Sequence, residues 1–232
     1  MTPFQKKQLD LMRQMEYALV ADTRASTIVP MQSDYTNDTQ LALTCISQVP
    51  KEIAATIQTK IIQPLRELEP DFFYYPDDAL HITIQNIRVI HDPPRFSTSD
   101  VAQAQTVLAT LIPKTAPFPF VYAGLLSMPT SVSLIALVSP GYDRFVRRLR
   151  TSLINANVPD DKKYFTDEII FANTTICRYT HKPSEKFTDL LIKNRDIRLG
   201  QFTPRAVRLM SMNAVAGPAK TTILGEYQFA RI

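Results

Sequence analysis

The sequence predicts an α+β fold of two similar lobes, with antiparallel sheets facing a central cleft and helices on the outside. Three observations predict it. Short, apolar, strand-like runs alternate with longer helix-like segments along the whole chain. The second half roughly repeats the order of the first, as two lobes of similar build would. Each half also carries one apolar strand with a polar pair on a single face, placing one motif strand on each wall of a cleft.

Residues 1–40 read as an N-terminal helix and polar lead-in, since Leu9, Met12, Met15 and Leu19 recur at helical spacing before a polar segment around Gln32–Thr39. The remainder, 41–232, reads as the bilobal domain. Its first motif lobe spans about 41–115 and its second about 116–232, with strands free to exchange between them. Leu41–Ile46 reads as a buried strand. After Pro50, the residues Ile53, Ile57, Ile61, Leu65 and Leu68 form a helical stripe that Pro64 should bend or shorten. A strand carrying His81 follows Pro76, and a helix should begin near Ser99 and run from Val101 to Ile112. Phe118–Leu126 and Ser131–Val138 read as a hairpin-like pair, and Tyr142 to about Asn155 as a basic helix. Glu168–Tyr179 supplies the second motif strand, Ser184–Asn194 another helix, and Arg205–Asn213 with Thr221–Phe229 a final antiparallel pair around Gly217-Pro218.

Composition narrows the chemistry. With 45% hydrophobic residues among 232, the chain can build a substantial core. Its five glycines form neither a dinucleotide fingerprint nor a phosphate-binding loop, and Cys-x-x-Cys and His-Glu-x-x-His spacings are absent. No metal and no cofactor is expected. No stretch approaches the roughly 18 to 20 apolar residues of a membrane span. Cys45 and Cys177 lie in apolar strand-like runs, which fits buried reduced thiols and makes a cytoplasmic setting the default. A formal net charge of +4 is compatible with an anionic ligand but too modest to argue one. The run Arg144–Arg150 reads as an ordinary amphipathic surface helix, with Phe145 and Leu149 inward and its arginines projecting elsewhere.

The segment Tyr75–Ile84 is the most informative stretch. On a strand, His81 and Thr83 share one face while Leu80, Ile82 and Ile84 share the other, so the apolar side is buried and the polar side lines a cleft. The imidazole transfers protons near neutral pH and the hydroxyl hydrogen-bonds a phosphoryl oxygen. In Ile169–Arg178, Asn173 and Thr175 likewise share a face. Arg178 falls on the opposite face unless a bulge or the strand end re-aims it. Tyr74, Tyr75 and Tyr179 are aromatic surfaces on which a base could stack, although aromatics beside a strand more often pack into the core. His91 and His181 fall in turn-like contexts and read as solvated loop histidines.

Pro76 with His81-Ile-Thr83-Ile84, and Asn173-Thr-Thr175-Ile176 with Arg178, resemble the paired His-x-Thr/Ser motifs of the 2H phosphoesterase superfamily, which includes 2′-5′ RNA ligase-like proteins and cyclic phosphodiesterases. Asn173 stands where the second histidine belongs. The resemblance implies two motif strands flanking one phosphate, with His81, Thr83, Asn173 and Thr175 in the catalytic positions and Arg178, Tyr75 and Tyr179 around the substrate. It implies as partner a nucleotide or RNA terminus bearing a phosphodiester or 2′,3′-cyclic phosphate, with no membrane and no obligate protein partner. An amide has no accessible pKa, so Asn173 can hydrogen-bond a phosphate oxygen but cannot shuttle a proton. Losing one acid/base partner costs on the order of 10² to 10⁴ in rate. The chain is therefore an impaired esterase, an esterase with a substitute acid, or a binding module for a nucleotide or RNA end; an accidental match in a structural α+β protein is the remaining reading.

Overall fold

Six consecutive buried residues in β1 (Leu41–Gln48) require cover on both faces of that strand. The computed structural model, which describes residues 1–231, provides it by placing β1 inside a four-stranded antiparallel sheet. Here β3 (His81–His91) pairs with one edge of β1 and β8 (Ala206–Met212) with the other, and β9 (Thr222–Gln228) closes the far side. The second sheet runs in the order β2 (Phe73–Tyr74), β6 (Asn173–Arg178), β5 (Ser131–Leu137), β4 (Phe120–Met128) and β7 (Arg198–Phe202), again antiparallel at every pair. Neither sheet is confined to one half of the chain. The first takes its last two strands from the C-terminal end, and the second takes β2 from the N-terminal half.

Two of these strands, β2 and β7, are missing from the sequence expectation because they are short and carry no alternation of their own; their neighbours hold them. The strand expected from Glu168 begins only at Asn173, and 168–172 runs irregularly into it.

Helices cover the outer faces. After Pro50 the chain is helical from Lys51 to Leu68, but not uniformly: α2 (Lys51–Ile57) opens into a π-helical turn, Gln58–Ile62, before α3 (Gln63–Leu68). Pro64 accounts for the interruption, because it offers no N–H and its ring crowds the carbonyl four residues back, which the wider turn accommodates. The next helix, α4 (Thr98–Leu111), starts earlier than the sequence suggested. Its cap is Ser97, whose hydroxyl accepts from the Asp100 N–H at 3.2 Å while the Asp100 carboxylate accepts from the Ser97 N–H at 2.7 Å. Ser139 and Ser184 cap α5 (Pro140–Asn155) and α6 (Glu185–Lys193) in the same way, by accepting from a backbone N–H in the first turn.

The N-terminal helix is integral to the fold. Met12, Met15 and Leu19 of α1 (Pro3–Ala21) pack on Ala123, Leu126, Ile135 and Leu137 of β4 and β5, forming a second apolar cluster outside the main core. Gln8, fully buried beside them, donates to the Ile170 carbonyl and accepts from the Val138 N–H at 3.0 Å. Cys45 and Cys177 are free and buried, and among the described residues no helix is long and apolar enough to cross a membrane.

Replacing the cap, Ser97→Ala, removes the acceptor for the Asp100 N–H and half of the reciprocal pair; we expect a loss of about 1 kcal/mol and a fall in Tm of about 2–4 °C, read by thermal denaturation.

Candidate active site

Thr83 of β3 and Asn173, Thr175 and Arg178 of β6 line one cleft, of about 200 Å³, between the edges of the two sheets. The other walls come from Ser131 and Ser133 of β5, from residues 26–29, and from a long irregular segment that includes Lys162, Tyr164 and Phe165. The first motif strand keeps the expected phase: Leu80, Ile82 and Ile84 are buried on one face, while His81 and Thr83 are only partly buried on the other. Pairing with β1 is regular from His81 to Thr83 and then skips Ile84, so this bulge ends the motif and resets the phase for Asn86, which lines the same cleft together with Gln85.

A second bulge settles the position of Arg178. Val132 pairs with Cys177 and Ser133 with Thr175, leaving Ile176 as an extra residue in β6. Regular alternation from Asn173 would send Arg178 to the far face. The extra residue resets the phase, so Arg178 joins Asn173 and Thr175 on the cleft wall. Its Nε donates to the Tyr75 hydroxyl at 2.8 Å and to the Ala214 carbonyl at 3.1 Å. The terminal guanidinium nitrogens make no hydrogen bond to the described residues, and a planar fork held by its Nε is suited to an oxyanion.

His81 stands just beyond Thr83 on the same strand, flanking the cavity rather than lining it. Its Nδ1 lies 2.7 Å from the Ala79 carbonyl, which can only accept, so Nδ1 carries the proton and Nε2 is left as the basic nitrogen. Burial chiefly, and the charge of Arg178 to a smaller extent, hold the imidazole below its usual pKa against the opposing pull of the Ala79 carbonyl. The ring is therefore neutral at pH 7, as a base must be.

On the opposite strand a short relay orients the polar pair. Asn173 Nδ2 donates to Ser133 Oγ at 3.1 Å, and Ser133 donates to Thr175 Oγ1 at 3.3 Å. The Thr175 hydroxyl hydrogen is thereby left for a ligand. Thr174, on the other face, forms a buried 2.5 Å hydrogen bond with the Tyr122 hydroxyl and belongs to the core.

Tyr75 and Tyr179 do not present faces to the cleft, contrary to their expected place around a substrate. Tyr75 is 1% exposed, donates to the Ala214 carbonyl at 2.6 Å, and meets His81 edge-on at 6.5 Å. It positions Arg178 instead of stacking on a base. Tyr179 packs among Phe72 and Phe187, and Tyr74 is buried with its hydroxyl on the Glu69 carbonyl. His181 and His91 lie outside the cleft, the former 3.2 Å from Glu69 and the latter against the Pro93 carbonyl.

The arginine run on α5 needs a correction. Phe145 and Leu149 are buried and Arg147 pairs with Asp143, as for a surface helix, but Arg150 lines the cleft. Its Nε donates to Gln85 Oε1 at 2.8 Å, and its guanidinium lies over the Tyr164 ring at 3.8 Å. Gln85, 2% exposed, also donates to the Asp160 carboxylate and the Tyr164 hydroxyl, tying the irregular segment to β3. Sequence reading missed Gln85, Lys162 and Tyr164. Their segment has no periodicity, and only the fold brings Arg150 and Arg178 beside it. The cleft thus gathers Arg150, Lys162 and Arg178 on its walls, with Asp160 3.8 Å from Arg150 behind it, and favours an anion.

Two edge-facing antiparallel sheets, helices outside and a polar cleft between motif strands define an α+β fold of the phosphoesterase kind, and the resemblance to the 2H phosphoesterases holds at the level of the fold. Solved structures of that fold superpose on most of the chain. A structure described as a phosphoesterase matches with a TM-score of 0.58 at 12% identity, over 83% of this chain and 99% of its own. E. coli LigT complexed with ATP matches at 0.55 and 15% identity over 83% and 99%, and a protein of Thermus thermophilus at 0.57 and 14% over 82% and 98%. LigT has also been solved with phosphate and with 3′-AMP. No protein-family model matches the sequence, and no curated protein matches it either.

The two tyrosines separate a positioning role from a packing one. Tyr75→Phe removes both the hydrogen bond from the Arg178 Nε and the one to the buried Ala214 carbonyl and should cost about 1–3 kcal/mol in urea unfolding; Tyr179→Phe, whose hydroxyl has only Ser127 at 3.5 Å, should cost less than half as much.

Proposed function

We propose that this protein is a phosphoesterase that acts on a 2′,3′-cyclic phosphate or 2′-5′ phosphodiester of RNA or a nucleotide. The observation that carries the reading is the meeting of Thr83, Asn173, Thr175 and the free end of Arg178 on one cleft, with His81 beside it. Binding of phosphate, ATP and 3′-AMP by LigT, a protein of the same fold, supports a nucleotide ligand.

In this reading the phosphoryl oxygens accept from the Arg178 fork and from the hydroxyls of Thr83 and Thr175, while Asn173 holds the Ser133–Thr175 relay and offers its remaining N–H. His81 Nε2 removes a proton from the attacking water or hydroxyl. With an amide at position 173 there is no imidazole on the far side to protonate the leaving oxygen, so turnover is slower than a two-histidine site would give, by on the order of 10² or more.

The amide also supports a second reading, in which the pocket binds a nucleotide or RNA end without turning it over. Hydrolysis of nucleoside 2′,3′-cyclic phosphates and 2′-5′-linked dinucleotides by wild type and His81→Ala decides between them. We expect slow wild-type turnover that vanishes in the variant; no turnover by folded wild-type protein, with nucleotide binding retained, establishes the binding module.

The pH dependence has a definite sign. A base works only when deprotonated, and burial lowers the His81 pKa; the wild-type kcat/KM should therefore be lost as pH falls through a value below the usual ~6.5 of histidine. Asn173→His restores a second imidazole on the cleft wall, and should raise turnover at least tenfold.

A further inference from the structure

Lys162 is the cleft residue for which neither the fold nor the reading above has a use. It lies in the irregular segment after α5, is partly buried, and lines the same cavity as Thr83, Asn173 and Thr175. The other two cations there are anchored by their Nε atoms, Arg150 on Gln85 and Arg178 on Tyr75 and Ala214. The Lys162 ammonium makes no hydrogen bond and no ion pair with the described residues; its near neighbour is the Tyr164 ring, 5.7 Å away, which it shares with Arg150. Three N–H donors at the wall of a polar cleft are thus uncommitted.

We propose that Lys162 is the proton donor to the leaving oxygen, taking the part that Asn173 cannot play. The proposal rests on the esterase reading and deepens it. In the step, His81 Nε2 takes a proton from the attacking water, or from the attacking hydroxyl where the substrate supplies one, as that oxygen bonds to phosphorus. The bond from phosphorus to the leaving oxygen breaks with its electron pair on that oxygen. The oxygen takes a proton from Lys162 Nζ. Lys162 is left a neutral amine and His81 an imidazolium, and exchange with water returns both to their starting states.

The surroundings suit this role. Burial chiefly, together with the charges of Arg150 and Arg178, brings the Lys162 pKa down to about 8 against the opposing attraction of Asp160. The charged groups facing it are Arg150 from α5, Asp160 and the Tyr164 hydroxyl from its own segment, and Arg178 from β6. Below pH 8 it is the ammonium, ready to donate, and its acidity is far closer to neutrality than that of an exposed lysine.

A leaving group that needs no proton provides the test. Wild type, Lys162→Met, Lys162→Arg and His81→Ala are assayed on a nucleoside 2′,3′-cyclic phosphate and on uridine 3′-(4-nitrophenyl phosphate), whose nitrophenolate departs unprotonated, with folding checked by thermal melts. We expect Lys162→Met to lose at least 100-fold in kcat on the cyclic phosphate but only a few-fold on the nitrophenyl ester. The wild-type fall in rate above pH 8 should vanish in both Lys162 variants, because arginine keeps the charge but does not titrate there. Equal losses on both substrates, or an unchanged alkaline limb, overturn the assignment while the esterase reading stands on the loss in His81→Ala. A wild type inactive on both substrates overturns the esterase reading and this assignment with it. If Lys162→Met fails to fold, Lys162→Arg carries the same comparison.

Discussion

The cleft depends on one buried cation. Arg178 is only 9% exposed, and a guanidinium so placed must be satisfied or the fold destabilises by several kcal/mol. Its two hydrogen-bond partners come from different sheets: Tyr75 follows β2, and Ala214 follows β8 of the other sheet. The hydrogen bonds that anchor its Nε therefore tie the two sheets together at the point where the motif strands approach. A lysine could not substitute, because it would give up the planar fork whose one edge is anchored while the other is left for a ligand.

What makes this possible is an irregularity. A strand without the extra residue at Ile176 would carry the cation to the core face, away from the cleft. The bulge at Ile84 works in the same way on β3, bringing Asn86 onto the cleft wall, while the adjacent Gln85 bonds Asp160, Tyr164 and Arg150. The bulges at Ile84 and Ile176, one beside each motif, help convert flat edges into a concave polar surface.

The alternating patterns around His81 and Asn173, the helix from Ser184 and the Pro64 interruption were legible from local rules, because each is decided by neighbours within a turn or a strand. So was the pairing of His81 with Thr83 on one face. The stacking role for Tyr75 failed for a physical reason: a tyrosine beside a strand has a ring and a hydroxyl to satisfy, and the core claims the first while Arg178 claims the second. Arg150 and Lys162 could not be placed from sequence because their position in the cleft depends on which loop crosses which helix. An amphipathic pattern says which residues face inward; it does not say that the outward face of α5 is covered by the segment that follows it.

The order of strands in the first sheet bears on how the molecule comes into being. One edge of β1 pairs with β3, a few tens of residues away, but its other edge waits for β8, which begins only at Ala206. During synthesis that edge is therefore open for nearly the whole time the chain is growing, a row of unpaired N–H and C=O groups beside an apolar surface. Closing it joins distant parts of the chain, which is slow compared with forming a hairpin such as β4–β5. The first sheet and its wall of the cleft are thus among the last structures a ribosome could release in native form, and a chain arrested before residue 206 would offer a strand template to any neighbour with a free edge.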